Sequence, residues 1–486
     1  MRSRLKRNLA RKVLTIAVAG ALSLLGACSA TRPQSADFAK SAVDLPAEFT
    51  QTSQPKTTHT LGWAAFGDPV LDAFIALALQ NNQDLQIAIA RVEQAKATQA
   101  RTALNKLPTL DVGALASRDR ASNNDPRTRA QASQPGFART ANSYRLDNTL
   151  DWELDLFGRK DALQNADEAR AKAAESDAQD IRLSVVTDVA KNVITARTLQ
   201  TRIKLADEAA ATEGEIVSFT RAKLRGGQIS NADVLRAVAL EQDSRATATR
   251  LQHDYGETIK ALAILLATKP ETIRTKLLAR PAPESYSNAI TSIMASRLPA
   301  DLLRRRPDIQ RAEFQLAAAS KDLAATNAER FPTFKLAATL ALVAGTVAKL
   351  GGLDSLLASV APSMSWRALD FGRLDADIAR AKGIEKEALI AYKKSITTAF
   401  AEADTALDDV ARRQLVLQRT TASTAAQHEA WDVTRLQYER GIIDLTLALD
   451  TRRALSRSED ARALALQEQL LATVTVHRAL GGDWMP

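Results

Sequence analysis

The 486-residue chain carries 65 basic and 56 acidic side chains, a formal net charge of +9, with 45% hydrophobic but only 5% aromatic residues. A mean hydropathy of -0.18 excludes a polytopic helical membrane protein, since beyond the N-terminus no apolar run reaches the ~20 residues that a spanning helix needs. Scarce aromatics and abundant alanine suit long, closely packed helices better than a large globular core.

Residues 1–27 read as a secretory signal: Arg2, Arg4, Lys6, Arg7, Arg11 and Lys12 precede an apolar stretch over 13–26. The signal ends in Leu25-Gly26-Ala27-Cys28, which resembles the lipobox of bacterial lipoproteins, and Cys28 is the single cysteine. A lone thiol forms no internal disulfide, so lipidation of Cys28 accounts for it best. By the same resemblance, Ser29 in place of aspartate points such a lipoprotein to the outer membrane. Removing residues 1–27 takes six positive charges and no negative one, so +9 less 6 leaves +3, and a nucleic-acid role loses its main support. Residues 28–62, rich in Ser, Thr, Gln and Pro, read as a linker leaving a lipid anchor.

A helical stretch over 69–103 is followed by a ten-residue strand at 108–117 and a polar linker over 118–142. Residues 144–156 then alternate strictly. Tyr144, Leu146, Asn148, Leu150, Trp152, Leu154 and Leu156 stand on one face; Arg145, Asp147, Thr149, Asp151, Glu153 and Asp155 stand on the other. A soluble sheet with one wet face has the same pattern; partner stretches at 108–117 and 332–343, the length of a tilted transmembrane strand, favour a lipid-facing one. The polar face, Arg145, Asp147, Asp151, Glu153 and Asp155, is then the barrel lumen.

Between Arg159 and Gly227 there is no proline, and Ile181, Val185, Val189, Val193, Leu199 and Ile203 recur at helical spacing. This predicts one helix of about seventy residues, about 100 Å long. Gly226-Gly227 stops it, and Ser230 with Asp233 reads as a capping box opening a return helix over 230–267. Further on, Arg304-Arg305-Arg306 invites a phosphate-binding reading, but Pro307-Asp308 marks it more simply as a helix start. A helix over 307–330, a strand over 332–343 whose apolar face is Leu336, Ala338, Leu340 and Leu342, and a loop over 345–360 follow. A second long helix over 373–441 stops at Gly441, and Asp444 caps a return helix over 444–480.

The chain therefore says the same thing twice. WELDLFGRK from Trp152 and WRALDFGRL from Trp366 lie 214 positions apart, and so do Arg221 and Arg435, Gly227 and Gly441, Ser230 and Asp444, and Leu266 and Leu480. DLQIA from Asp84 and DIQRA from Asp308 lie 224 apart, as do LPTL from Leu107 and FPTF from Phe331. One half thus holds about ten extra residues between Pro108 and Trp152, which the longer linker over 118–142 explains as an exposed outer loop. Residues 63–285 and 286–486 make two repeats, each a helix, a β-hairpin, a long helix and a return helix. Two hairpins supply four strands. A lipid-facing sheet must close to satisfy its edges, and known barrels start at eight strands, so several copies must contribute to one ring.

WAAFGDPVLDAFI from Trp63, WELDLFGR, RAKLRGGQISNADVLRA from Arg221, LPADLLRRRPDIQRAE from Leu298, ALDFGR, YERGIIDLTLALDTRRA from Tyr438 and the ending ALGGDW resemble the outer membrane factors of tripartite efflux systems, the TolC-like proteins, and among them the NodT-like lipoprotein branch. The resemblance covers the mature chain. It implies a mainly α fold with a transmembrane β part: a homotrimeric 12-stranded outer-membrane β-barrel continued by a 12-helix periplasmic α-barrel. It implies a periplasmic adaptor and an inner-membrane resistance-nodulation-division pump as partners, export of small molecules such as drugs, and no cofactor. By the same resemblance the tips would meet the adaptor: Arg221, Arg225, Gly226, Gly227, Ser230 and Asp233 in one, Arg435, Tyr438, Arg440, Gly441 and Asp444 in the other. Asp450 and Arg453 fall where the family places an acidic ring and its basic tether, and Thr446 stands where relatives often carry a bulky apolar constriction. The plainer reading of Asp450 and Arg453 is a solvated pair one helical turn apart.

An enzyme is disfavoured: His59, His253, His428 and His477 are scattered without metal-ligand spacing, and no HExxH or GxSxG is present. A coiled-coil spacer lipoprotein has no use for alternating strands. An exit duct for type I protein secretion remains the alternative within the same architecture.

Overall fold

The computed structural model describes residues 63–281 and 305–482; the signal, Cys28, the 28–62 linker, His59 and Arg304 lie outside the described residues. After a short 3-10 turn (Trp63–Phe66) the chain runs through α1 (Pro69–Asn81), α2 (Gln83–Leu104), β1 (Thr109–Arg120), α3 (Pro126–Ala132), β2 (Thr140–Leu154), α4 (Arg159–Arg225), α5 (Asn231–Leu265) and α6 (Pro270–Ala279). It continues with α7 (Pro307–Ala328), β3 (Thr333–Ala344), β4 (Leu356–Ser365), α8 (Arg373–Glu439) and α9 (Leu445–Ala479).

The long helices α4 and α8 have 67 residues each, and the return helices α5 and α9 have 35 each. At 1.5 Å per residue the former span about 100 Å. Both begin after a left-handed glycine, Gly158 at φ 76° and Gly372 at φ 85°, which is why the repeated phrase carries glycine: a Cβ there would be strained. The packing order is a wall of four columns: α2 with α5, then α4, then α7 with α9, then α8. Alanines 162, 166, 169, 171 and 173 of α4 are buried, small enough for neighbouring backbones to approach closely.

Each return helix is half as long as its partner, and a second helix is stacked on its end. The splice in the first half is Asn82: its Oδ1 accepts from Leu85 N at the start of α2, while its Nδ2 donates to Leu265 O at the end of α5, 2.9 Å away. Position 306, 224 residues on, does the same job with different chemistry. Arg306 precedes α7, donates to Ala479 O at the end of α9 (2.9 Å), and pairs with Asp308 and Glu402. These contacts satisfy carbonyls that a helix end leaves open and assign Arg306 to structure.

Four expectations need correction, the first being the strand at 108–117, which is Thr109–Arg120 and takes three residues from the linker placed at 118–142. The stretch over 69–103 is two helices, because Asn82 is extended (φ -61°, ψ 127°) and caps the second. The strand placed at 144–156 is Thr140–Leu154, because β1 pairs with it as far as Arg120↔Thr140 and the chain turns after Leu154. The loop placed at 345–360 ends at 355: β4 begins at Leu356 and pairs with Leu342.

The main core lies midway along α4, where Phe66, Leu71 and Phe74 meet Val186, Val189, Ile259, Leu262, Ile273 and Val474. Its polar staple is Arg197, buried with Asp68 at 3.1 Å and donating to Leu277 O and Arg280 O. Asp68 in turn caps α1 through Val70 N. Removing one member of such a buried pair costs roughly 3–5 kcal/mol, because the other charge is left without its partner.

Two predictions follow from the helix ends and the core. The end of α9 closes with Gly481 in the left-handed region (φ 84°), where Arg306 Cα would lie 3.3 Å from a Cβ; the equivalent position in the first half is Ala267, held at φ 46°. Ala267→Gly should stabilise by about 1 kcal/mol and Gly481→Ala should destabilise by more, as read by thermal unfolding. His477, 4% exposed between Trp63 and Phe66, has its pKa lowered to about 4 by burial. Its folded pKa lies below its unfolded one, so its stability contribution is complete above about pH 6.5 and is lost as pH falls towards about 4, by up to about 3 kcal/mol. His477→Phe should flatten the pH dependence of Tm across that window.

Candidate functional site

The four strands form one antiparallel sheet in the order β1-β2-β3-β4, leaving β1 and β4 as edges. Paired residues share a face, so the register sorts the side chains. One face carries Leu154, Phe334 and Met364; then Trp152, Leu336 and Pro362; then Leu110, Leu150, Ala338 and Val360; then Val112, Asn148, Leu340 and Ala358; then Ala114, Leu146, Leu342 and Leu356; then Ala116, Tyr144 and Ala344. Apart from Asn148 the band is apolar, and Val112 and Val360 are each 70% exposed. From Leu154 to Tyr144 it covers ten steps, about 33 Å along the strand or about 25 Å of height at barrel tilt, with aromatic rings at both margins.

The opposite face carries Arg145, Asp147, Asp151 and Glu153, with Thr109, Asp111, Gly113, Lys335, Thr339, Ser359 and Ser363 beside them. Arg145 pairs with Asp147 at 3.1 Å, and Arg159 from the start of α4 holds Glu153 at 2.6 Å. Asp155 lies past the end of β2, where its carboxylate accepts from Asp161 N in the first turn of α4.

The repeated tryptophans clasp the foot of each hairpin. Trp152 Nε1 donates to Lys106 O at 2.9 Å, and Trp366 Nε1 donates to Arg330 O at 3.0 Å. Beside them Phe157 stacks on Phe331 at 4.6 Å, joining the first half to the second. The equivalents of these two rings, Phe371 and Leu107, are 82% and 58% exposed.

The two helical turns at the far end are built alike. Gly227 N donates to Leu224 O and Gln228 N to Lys223 O; Gly441 N donates to Tyr438 O and Ile442 N to Gln437 O. Both are Schellman closures, with Gly227 and Gly441 left-handed. Ser230 and Asp233 form a reciprocal capping box, which holds the Asp233 carboxyl below the usual carboxylate range. Asp444 caps α9 through Leu447 N. Val217, Ala237 and Leu240 pack with Tyr438, Leu445, Ala448 and Leu449, so the tips share one apolar cluster. Lys223 Nζ sits 4.7 Å from the Phe219 ring and 4.5 Å from the Tyr438 ring, a cation–π clamp between halves. Arg221, Arg225, Arg435 and Arg440 are outside this cluster.

One turn into α9, Asp450 Oδ1 lies 3.6 Å from Arg453 Nη1, both solvent-accessible, and Thr446 is exposed. Behind Arg453 a cavity of about 330 Å³ between α4, α5 and α9 is lined by Glu213, Ser244, Arg457 and the Arg202–Asp460 pair. Glu213 is buried, and burial pushes its pKa up against the opposing pull of Ser244, Arg452 and Arg453. Glu213 and Lys223 escaped sequence reasoning because a lone acid or lysine on a helix carries no motif.

A family model described as outer membrane efflux protein matches residues 74–268 and again 298–482. The chain is 27% identical over 482 residues to the pyoverdine export outer membrane protein OpmQ of Pseudomonas aeruginosa, covering 96% of this chain and 97% of that protein. It is 26% identical to nodulation protein T of Rhizobium leguminosarum bv. trifolii, over 93% of this chain and 94% of the relative. The solved outer-membrane channel OprN matches with a TM-score of 0.79 at 29% identity, over 91% of this chain and 98% of that one.

Proposed function

The chain belongs to the outer membrane efflux protein family, and from that premise we propose that it is the exit duct of a tripartite efflux pump, passing small molecules across the outer membrane by passive conduction. It is a transport protein rather than an enzyme, with a large periplasmic part. The observation that carries this reading is the sheet: an apolar band about 25 Å high with aromatic margins, backed by a polar face and continuous with helices too long for any globular core.

The duct is a homotrimer. Each chain brings four strands and four helical columns, so three chains supply twelve of each. Contacts between the halves of one chain recur between chains: β2 pairs with β3, and β4 meets the next copy's β1; Phe157 stacks on Phe331, and Phe371 covers the next copy's Leu107. Column α8 then closes on the next copy's α2 and α5. Exposed Ile390 and Leu415 on α8, with Ile87 and Ile264 opposite, are apolar surface for that seam.

Residues 63–285 and 286–486 are the two repeats. Residues 1–27 are the signal, Cys28 is acylated, and 28–62 tethers the duct to outer membrane lipid. Arg145, Asp147, Asp151, Glu153 and, at its foot, Asp155 line the lumen. The two tips, from Arg221 to Asp233 and from Arg435 to Asp444, receive a periplasmic adaptor that joins the duct to a resistance-nodulation-division pump. At the mouth Asp450 forms a threefold carboxylate ring tethered by Arg453, with Thr446 beside it. Such a ring selects cations and widens when its tethers are released.

Two measurements test this. With Leu107→Cys and Phe371→Cys in one chain, a short thiol-specific cross-linker should give covalent trimers; a product that stays monomeric at membrane densities sinks ring closure. In planar bilayers the channel should conduct weakly, and Asp450→Ala with Arg453→Ala should raise single-channel conductance severalfold. Unchanged conductance would remove the gate and leave the duct, whereas a purified chain that forms no channel at all would end the whole reading.

A further inference from the structure

The extra residues of the first hairpin have no task in the duct described above. They lie at the ends of β1 and β2 remote from the long helices, and residues 118–142 hold five arginines against two aspartates. The matching loop over 345–355 holds one lysine and one aspartate. Neither aspartate neutralises an arginine: Asp119 accepts from Ser117 Oγ, and Asp125 caps α3 through Arg127 N. Among the described residues Arg118, Arg120, Arg127, Arg129 and Arg139 form no ion pair, and all are exposed.

The register says where two of them stand. Arg118 pairs with Asn142 and Arg120 with Thr140, one and two rungs beyond Ala116↔Tyr144 and on the same face as Leu110, Val112 and Ala114. They continue the lipid-facing side of the strand just past its aromatic margin, about 7 Å and about 13 Å further along. Arg139, whose carbonyl accepts from Ala121 N, stands one residue before Thr140 and therefore on the opposite face. An arginine on the lipid face costs about 2–4 kcal/mol at mid-bilayer and close to nothing at the boundary, so these positions are affordable only at headgroup height. There a planar guanidinium binds phosphate through paired N–H donors, better than an ammonium does.

We propose that Arg118 and Arg120 form an annular binding site for the phosphate-bearing glycolipid of the outer leaflet, one such site per chain. The site rests on the outer-membrane reading above. Its occupant is a membrane lipid rather than a soluble anion, because Arg118 and Arg120 continue a lipid-facing apolar band and are not enclosed in a pocket.

The full-length protein in phosphatidylcholine nanodiscs, titrated with fluorescent diphosphorylated lipid A, tests it. Two boundary arginines at roughly fivefold each predict that Arg118→Ala with Arg120→Ala weakens apparent affinity by about 25-fold, while the corresponding lysine pair keeps most of it. Dephosphorylated lipid A should bind the wild type as weakly as lipid A binds the alanine double variant. Affinity of the alanine double variant within twofold of wild type overturns the proposal, as does equal competition by inorganic phosphate at matched concentration, which would mark a soluble-anion site. Conductance of wild type and double variant in phosphatidylcholine bilayers reports separately on the channel, so wild-type-like conductance with no difference in lipid binding overturns the lipid site alone.

Discussion

Backbone groups in hydrocarbon have no water to bond to, and that constraint organises this molecule. A sheet whose apolar band faces lipid can leave no edge open, yet each chain ends its sheet at β1 on one side and β4 on the other. In the proposed trimer, other copies supply the ladders that these two edges lack. The helical part follows suit, because its columns hang from the same strands through the tryptophan clasps and the left-handed glycines. An open ring of strands would force an open ring of helices.

The same dependence explains why α4 and α8 are equally long while the loops differ. The two helices descend from one ring and must reach one plane, and their tips meet there in a shared cluster around Tyr438. An insertion of a single residue in either would rotate its tip by about 100° and lift it by 1.5 Å. The outer loops bear no such load, and the ten additional residues sit there.

Much of this was legible beforehand. Helix lengths, both tip turns and the alternation of β2 follow from period, glycine and capping residues. The break at Asn82 did not show, because asparagine in a helical run is ordinary until its side chain is seen to serve two helix ends at once. Nor did the start of β4: LLASVAPSMS carries a proline and no alternation of charge, since the face it shares with Arg145 and Glu153 holds Leu357, Ser359, Ala361, Ser363 and Ser365. The Arg197 staple is long-range, its partner Asp68 lying 129 positions away, and Arg452, which acts on buried Glu213, lies 239 positions on (452 less 213), so no local pattern announces either.

Where the repeats diverge, geometry has stopped asking for identity. Asn82 and Arg306 show one splice made by two chemistries, and the swap has a consequence. Arg306 brings its own backbone against position 481, where only glycine fits, while Ala267 at the matching site of the first half keeps its methyl. Leu107 and Phe331 differ likewise: the aromatic stack joins the two halves of one chain, and in the proposed trimer Phe371 would meet a leucine instead. In the proposed trimer, duplication gives a sixfold-like frame in which the in-chain and between-chain seams carry different aromatic surface. The contact with less aromatic surface then falls between chains, where Leu107 stands in the place that Phe331 holds within the chain.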